Sequence, residues 1–167
     1  MPRHIRKIRV EGNIAYVPLT RGYEAIIDTF DVSLVEGFNW TALVVPHTVY
    51  ARRNIRINGK QVCLYMHREI LKPNNDALVD HRDCNGLNNR RANLRQANAL
   101  QNARNQKAKI NLSGFRGVYW DKDRKKWISK IRVDGKSKFL GRYDTPEAAY
   151  EAYCIASAQY HGEFGRT

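Results

Sequence analysis

Apolar and polar positions alternate in short runs through the first third of the chain. Residues 5–10 and 14–18 read as strands joined by a turn at Glu11-Gly12-Asn13, and the apolar run Ala25-Ile26-Ile27 follows Arg21-Gly22. Asp28 or Asp31 is placed to cap a short helix ending at Gly37. Residues 40–45, 48–53 and 54–57 predict further strands, the last joined to 61–65 by Asn58-Gly59. Both turn residues tolerate the positive φ of a type I′ hairpin turn. Residues 66–71 predict a short helix stopped before Pro73.

From Asn74 the pattern changes. Asparagine occupies positions 85, 88, 89, 93, 98, 102, 105 and 111, a density that favours turns over regular elements. Residues 97–109 carry enough Ala, Gln, Arg and Lys to predict a helix, and residues 111–114 predict a linker. Beyond it, 117–121, 126–133 and 136–143 predict three strands, with Asp134-Gly135 as a second tight hairpin turn. Thr145-Pro146-Glu147 opens a helix with an N-cap hydroxyl, a proline in the first turn and an acid against the dipole. The expected class is α+β. A β-rich region spans 1–110, and a three-stranded antiparallel sheet packed on one helix spans 115–167.

Composition narrows the function. The 167 residues hold 29 Lys+Arg against 16 Asp+Glu, a formal charge of +13. Two blocks carry most of it. Residues 82–110 hold seven basic side chains and one acid, Asp83, while residues 111–142 hold ten basic and three acidic ones. Such blocks in a folded chain point to a polyanionic partner. Three cysteines (63, 84, 154) with no CxxC pair argue against a disulfide framework and predict a reducing, cytoplasmic setting. No stretch approaches the ~20 apolar residues of a membrane span, and no signal region follows Met1.

The candidate chemistry lies between Leu78 and Asn105. A calcium loop starting at His81 fits at positions 3, 5 and 6. It places His at position 1 and Ala92 where a bidentate Glu is required. Cys84 has no second ligand at zinc spacing. Phosphodiester hydrolysis fits better, because it needs a base for water and a hard cation for the phosphate. Asp80 and His81 end an apolar strand, and Asn93 and Asn102 follow at spacings that allow a loop, a return strand and a helix.

The run V-D-H-R-D-C-N-G-L-N-N-R-R-A-N-L-R-Q-A-N-A-L-Q-N-A-R-N (79–105), led by Y-M-H-R-E-I-L (65–71), resembles the HNH homing-endonuclease motif in its phage and intron-encoded H-N-N branch. That resemblance implies a ββα-metal unit over about 65–109. His81 would be the general base, Asp80 and Asn102 the ligands of a divalent metal, Mg²⁺ or Mn²⁺, and Asn93 the residue that holds the loop and orients His81. Gln96 stands where the family usually has an aromatic. His67 is expected to be a packed, hydrogen-bonded histidine, and Asp83 a support for the loop.

In 126–133, alternation sets Trp127, Ser129, Ile131 and Val133 on one face and Ile128, Lys130 and Arg132 on the other. If the Ala-rich helix covers the first face, the second is a basic surface suited to a DNA groove. Residues 115–165 resemble the AP2/ERF DNA-binding domain through F-R-G-V-Y-W, K-K-W-I-S-K-I-R-V, F-L-G-R-Y and T-P-E-A-A-Y-E-A-Y. The resemblance implies DNA contacts from Arg116, Gly117, Tyr119, Lys130, Arg132 and Phe139, with Tyr153 reaching the backbone. Tyr119 and Ser137 replace family arginines, so no base preference carries over.

The two resemblances imply a metal-dependent endonuclease acting on double-stranded DNA in a bacterial or phage-infected cell, with no organic cofactor. One site per chain implies a nick by a monomer, with a dimer or a second binding event as the route to a double-strand break. The competing expectation is a non-catalytic DNA-binding regulator with a degenerate HNH unit. An RNA-binding protein is disfavoured by the lack of an RNP or GxxG signature.

Overall fold

Turn chemistry decides where this chain reverses. Asn58 and Gly59 take φ of 50° and 77°, and Asp134 and Gly135 take 48° and 79°, the left-handed values a tight hairpin requires. The computed structural model describes residues 4–74, 77–105 and 111–165. The architecture mixes α and β, with several small antiparallel sheets and few helices. Contacts divide the chain into two units, Met1–Asn98 and Ala99–Thr167.

In the first unit, β1 (Arg9–Glu11), β2 (Ile14–Pro18) and β3 (Glu24–Asp28) form an antiparallel sheet in that order. A 3-10 turn leads into α1 (Val32–Val35). A second sheet contains β4 (Thr41–Val45), β5 (Thr48–Ile57) and β6 (Lys60–Tyr65). Then come α2 (Met66–Leu71) and a two-stranded hairpin, β7 (Leu78–His81) with β8 (Leu94–Ala97). The core gathers alternate residues of β2 and β3 (Ala15, Val17, Ala25, Ile27) with Val35, Trp40, Ala51, Met66, Ile70 and Leu94. Each large aliphatic side chain buried there contributes roughly 1.5–3 kcal/mol. Trp40 enters this core without an orphaned donor, since its Nε1 donates to the Val35 carbonyl at 2.9 Å.

Three expectations change here. The first strand begins at Arg9 rather than residue 5, because the Arg6 N–H donates to Asn39 Oδ1 (3.1 Å) and so points away from any ladder. Residues 48–57 run as one strand instead of two, paired to β4 over one half and β6 over the other. Neither Asp28 nor Asp31 caps a helix with its side chain. Their carboxylates accept hydrogen bonds from Arg90 and Arg91 instead.

The second unit contains α3 (Ala99–Asn105), the sheet β9 (Val118–Asp121), β10 (Lys126–Val133), β11 (Lys136–Tyr143), and α4 (Pro146–His161). β10 is central and antiparallel to both neighbours, with a register shift between Ser129 and Lys130. Thr145 caps α4 by accepting from the Ala148 N–H at 3.2 Å, as its sequence predicts. Small residues Ala149, Ala156 and Ser157 are buried on α4 and let it lie close to the sheet. The helix expected over 97–109 begins at Ala99 as α3, because Ala97 pairs with Leu78 in β8, and residues 106–109 of that expectation lie outside the described residues. The expected linker 111–114 is a folded turn. Asn111 Nδ2 donates to the carbonyls of Phe115 (2.8 Å) and Val118 (3.0 Å), and the Ser113 hydroxyl bonds both as well.

Candidate functional site

Antiparallel pairing of β7 with β8 sets Asp80 opposite Arg95 and His81 opposite Leu94. Asp80, Arg95 and His81 are all buried. The Arg95 guanidinium reaches Asp80 Oδ2 through both Nε and Nη2 at 2.7 Å. Removing two charges from water is costly, and this close, charge-assisted contact offsets the cost.

His81 lies in a ring cluster instead. Its centroid is 5.2 Å from His67 and 5.9 Å from Tyr50, and His67 also stacks on Tyr65 at 5.4 Å. Elements far apart in sequence supply these rings: β5 gives Tyr50, β6 Tyr65, α2 His67 and β7 His81. Burial pushes the His81 imidazole below its ordinary pKa, against the opposing effect of its hydrogen bond to the Asn89 amide oxygen and of the nearby Asp83 and Asp80. Burial likewise holds His67 down to about 3, with His81 and Arg68 adding to the effect.

The loop from Arg82 to Asn93 is built on asparagine. Asn93 Oδ1 accepts from the Asp83 N–H (3.1 Å), while Asn93 Nδ2 donates to Asp83 Oδ1 (2.9 Å) and to the Asn88 carbonyl (2.8 Å). Asp83 takes further bonds from the Asn85 N–H and Asn88 Nδ2. Partial burial works against its charge, yet the bonds from Asn85, Asn88 and Asn93 hold its carboxyl below the usual range. Asn93 and Asp83 therefore brace the loop as the sequence suggests. The residue beside His81 is a different one. Asn89 Oδ1 lies 3.3 Å from His81 Nε2, and the fully buried Asn89 is fixed by its N–H donating to the Ile26 carbonyl at 2.8 Å. Sequence reading missed Asn89, because only the pairing of this loop with β3 distinguishes it from its neighbours.

Arginines from the same segment tie the loop to the end of β3 and the 3-10 turn that follows it. Arg90 Nε meets Asp28 Oδ1 at 2.8 Å, and Arg91 Nη2 meets Asp31 Oδ1 at 2.8 Å. Three of the seven basic residues in the first charge block thus neutralise buried acids, and that block is not all available to a partner. Arg53 packs over Phe38 at 3.7 Å and pairs with Glu69, whereas Arg56 is exposed.

Asn102 lies half-buried on α3, in the second unit. In that unit Ser129 and Ile131 are buried while Lys130 and Arg132 are exposed, the alternation read from the sequence; Trp127 and Ile128 are both half-buried. Arg116, Gly117, Tyr119, Lys130, Arg132 and Tyr153 line one cavity of about 420 Å³, with Leu100 and Ala103 of α3 on its wall. Phe139 is half-exposed elsewhere on the sheet, beside Arg142. Gly117 and Tyr153 are buried, and a Cβ on Gly117 would fall 2.2 Å from the Tyr153 ring. Their first role is to pack against each other, which leaves Arg116, Tyr119, Lys130 and Arg132 as the polar lining.

Among the described residues, no group of three or more His, Cys, Asp or Glu side chains could hold a metal ion, and the three cysteines are free. No helix among them is long and apolar enough to cross a membrane. What fold and site define is a basic, two-unit α and β protein with a buried Asp-His pair. Protein 3.8 of Escherichia phage T7 is 35% identical over 89 residues, which cover 53% of this chain and 73% of that protein. The chain belongs to the same family as this phage protein. No family model matches the chain, and no solved structure does.

Proposed function

We propose that this protein is a metal-dependent DNA endonuclease of mobile-element or phage type, hydrolysing a phosphodiester with His81 as general base. The observation that carries this reading is a buried His81 beside a buried Asp80 at the end of one hairpin, braced by the Asn93–Asp83 loop. Residues 65–109 are read as the HNH unit, with β7, β8 and α3 following one another in ββα order along the chain. Residues 115–165 are read as the AP2/ERF-like module that holds duplex DNA on Arg116, Tyr119, Lys130 and Arg132. Relationship to a phage protein fits the phage-type assignment.

Chemically, burial favours the neutral form of His81, which is the form able to accept a proton. The water oxygen forms the new bond to phosphorus, its proton passes to His81, and the P–O3′ bond breaks to leave a nick. By the resemblance, Asp80 and Asn102 would be the ligands, one carboxylate and one carboxamide, hard oxygen donors of the kind that suits Mg²⁺. Bound there, the cation would supply positive charge to the phosphate and its leaving oxygen. Asn102 enters this donor set from the resemblance.

Supercoiled plasmid incubated with Mg²⁺ or Mn²⁺ tests the proposal. Wild type should convert it to open circles, and His81→Ala should slow that conversion by roughly 100-fold or more. Equal nicking by the two proteins would overturn it. The second reading, a DNA-binding regulator without catalysis, draws support from the Arg95 guanidinium on Asp80. It expects tight duplex binding and no metal-dependent nicking.

A further inference from the structure

His67 is the second residue of α2 and is 8% exposed. Its ring stacks on Tyr65 with planes 25° apart, meets Tyr50 at 65°, and stands edge-on to His81 at 88°. These ring contacts account for its place in the packing. They do not account for its nitrogens, since phenylalanine would fill the same space. Nδ1 of His67 is buried and has no hydrogen-bond partner among the described residues. The expectation of a hydrogen-bonded histidine fails at this atom.

Buried polar atoms are almost always paired, and an exception calls for an explanation. Here the unpaired nitrogen belongs to a ring in contact with the candidate base. A partner that arrives only with substrate would resolve it. We propose that His67 is a second catalytic histidine of the endonuclease site, a neutral imidazole that donates a hydrogen bond to a non-bridging oxygen of the scissile phosphate. The inference rests on the endonuclease reading.

Two physical points favour donation over a second base. Burial keeps His67 neutral at any working pH, so it retains one N–H and carries no charge to compete with protonation of His81. A neutral donor in a water-poor site stabilises charge that develops on phosphate oxygens, and removing one such donor typically slows catalysis by about 100- to 1,000-fold.

The test compares His67→Phe, which keeps the packing and loses the nitrogens, with His67→Gln, which keeps an N–H donor. Thermal melts confirm that each variant is folded. Expected results are a roughly 100-fold loss of single-turnover nicking in His67→Phe, with duplex Kd within about twofold, and partial recovery in His67→Gln. A parallel measurement needs no variant. Long-range ¹H–¹⁵N spectra of the wild-type histidine rings are recorded in EDTA with and without duplex, and the His67 nitrogen signals should shift on binding. Nicking by His67→Phe at the wild-type rate, or unmoved His67 signals, would overturn the role. Loss of nicking in His81→Ala but not in His67→Phe removes this inference alone. Equal nicking by wild type and His81→Ala removes the endonuclease reading, and this inference with it.

Discussion

At the scale of single residues, Asp80 and Arg95 define the strongest electrostatic commitment in the first unit. Each partner is nearly inaccessible, so neither charge has water to fall back on. Replacing Arg95 by Met should therefore cost about 3–5 kcal/mol in urea unfolding, because Asp80 stays buried without its guanidinium partner. The Lys126–Asp144 pair is solvent-exposed, and Lys126→Ala should cost no more than about 1 kcal/mol. Comparable losses for the two variants would mean the Asp80 pair is hydrated in solution. His67 makes a second prediction, with a definite sign. Its folded pKa lies near 3, below the ordinary value of 6.5, so the unfolded chain binds the extra proton first. Stability is unaffected above pH 6.5 and falls as the pH drops from 6.5 towards 3, by about 2 kcal/mol at pH 5. Urea midpoints at pH 7 and pH 5 should differ for wild type, and the difference should shrink in His67→Phe. An undiminished difference would assign the acid sensitivity to other groups.

At the scale of elements, the informative contact is Gly117 against Tyr153. Gly117 takes φ of 75°, and a Cβ there would meet the Tyr153 ring at 2.2 Å and the Lys130 carbonyl at 2.7 Å. Gly117→Ala combines backbone strain with overpacking and should destabilise the second unit by roughly 2–5 kcal/mol. Thr145→Ala, which removes only a cap, should cost about 1 kcal/mol. Differential scanning calorimetry of the full chain would rank the two, and the reverse order would refute the packing argument. These elements also show what the sequence makes legible. Asn58-Gly59, Asp134-Gly135 and Thr145-Pro146 act within a few residues of themselves, so their turns and cap follow from local chemistry. Alternation along β10 works the same way from Ser129 to Arg132, whereas Trp127 and Ile128, before the register shift at Ser129/Lys130, are both half-buried. What escapes a reader is set by partners far along the chain. Arg91 meets Asp31 across 60 positions, and Asn89 depends on a bridge to β3. Charge and asparagine counts describe such residues identically whether they face solvent or acids. The site was legible to the same degree. Asp80, His81 and Asn93 stand out in the sequence as candidates, whereas Arg95 on Asp80 and Asn89 beside His81 required the fold.

At the scale of the whole molecule, the +13 charge divides into parts with different work to do. Arg90, Arg91 and Arg95 are bound to Asp28, Asp31 and Asp80, and they contribute to cohesion of the first unit. Some of the second block is also internal to the protein, since Arg142 pairs with Asp121 at 3.1 Å. Lys130 and Arg132 differ, because both are exposed on one sheet face beside Tyr119 and line the same cavity. A phosphate backbone neutralised by these two side chains would release condensed counterions, and affinity would fall with salt in proportion to the contacts made. On the proposed DNA-binding role, the double substitution Lys130→Ala/Arg132→Ala should weaken duplex binding and reduce the slope of log K against log salt by roughly 2. Arg90→Ala/Arg91→Ala should leave that slope unchanged and lower thermal stability instead, because those guanidiniums already serve carboxylates. Fluorescence anisotropy of a labelled duplex across a KCl series separates the two outcomes. A slope that falls equally for both pairs would place the first charge block on the DNA as well, and the division between cohesive and binding charge would have to be abandoned.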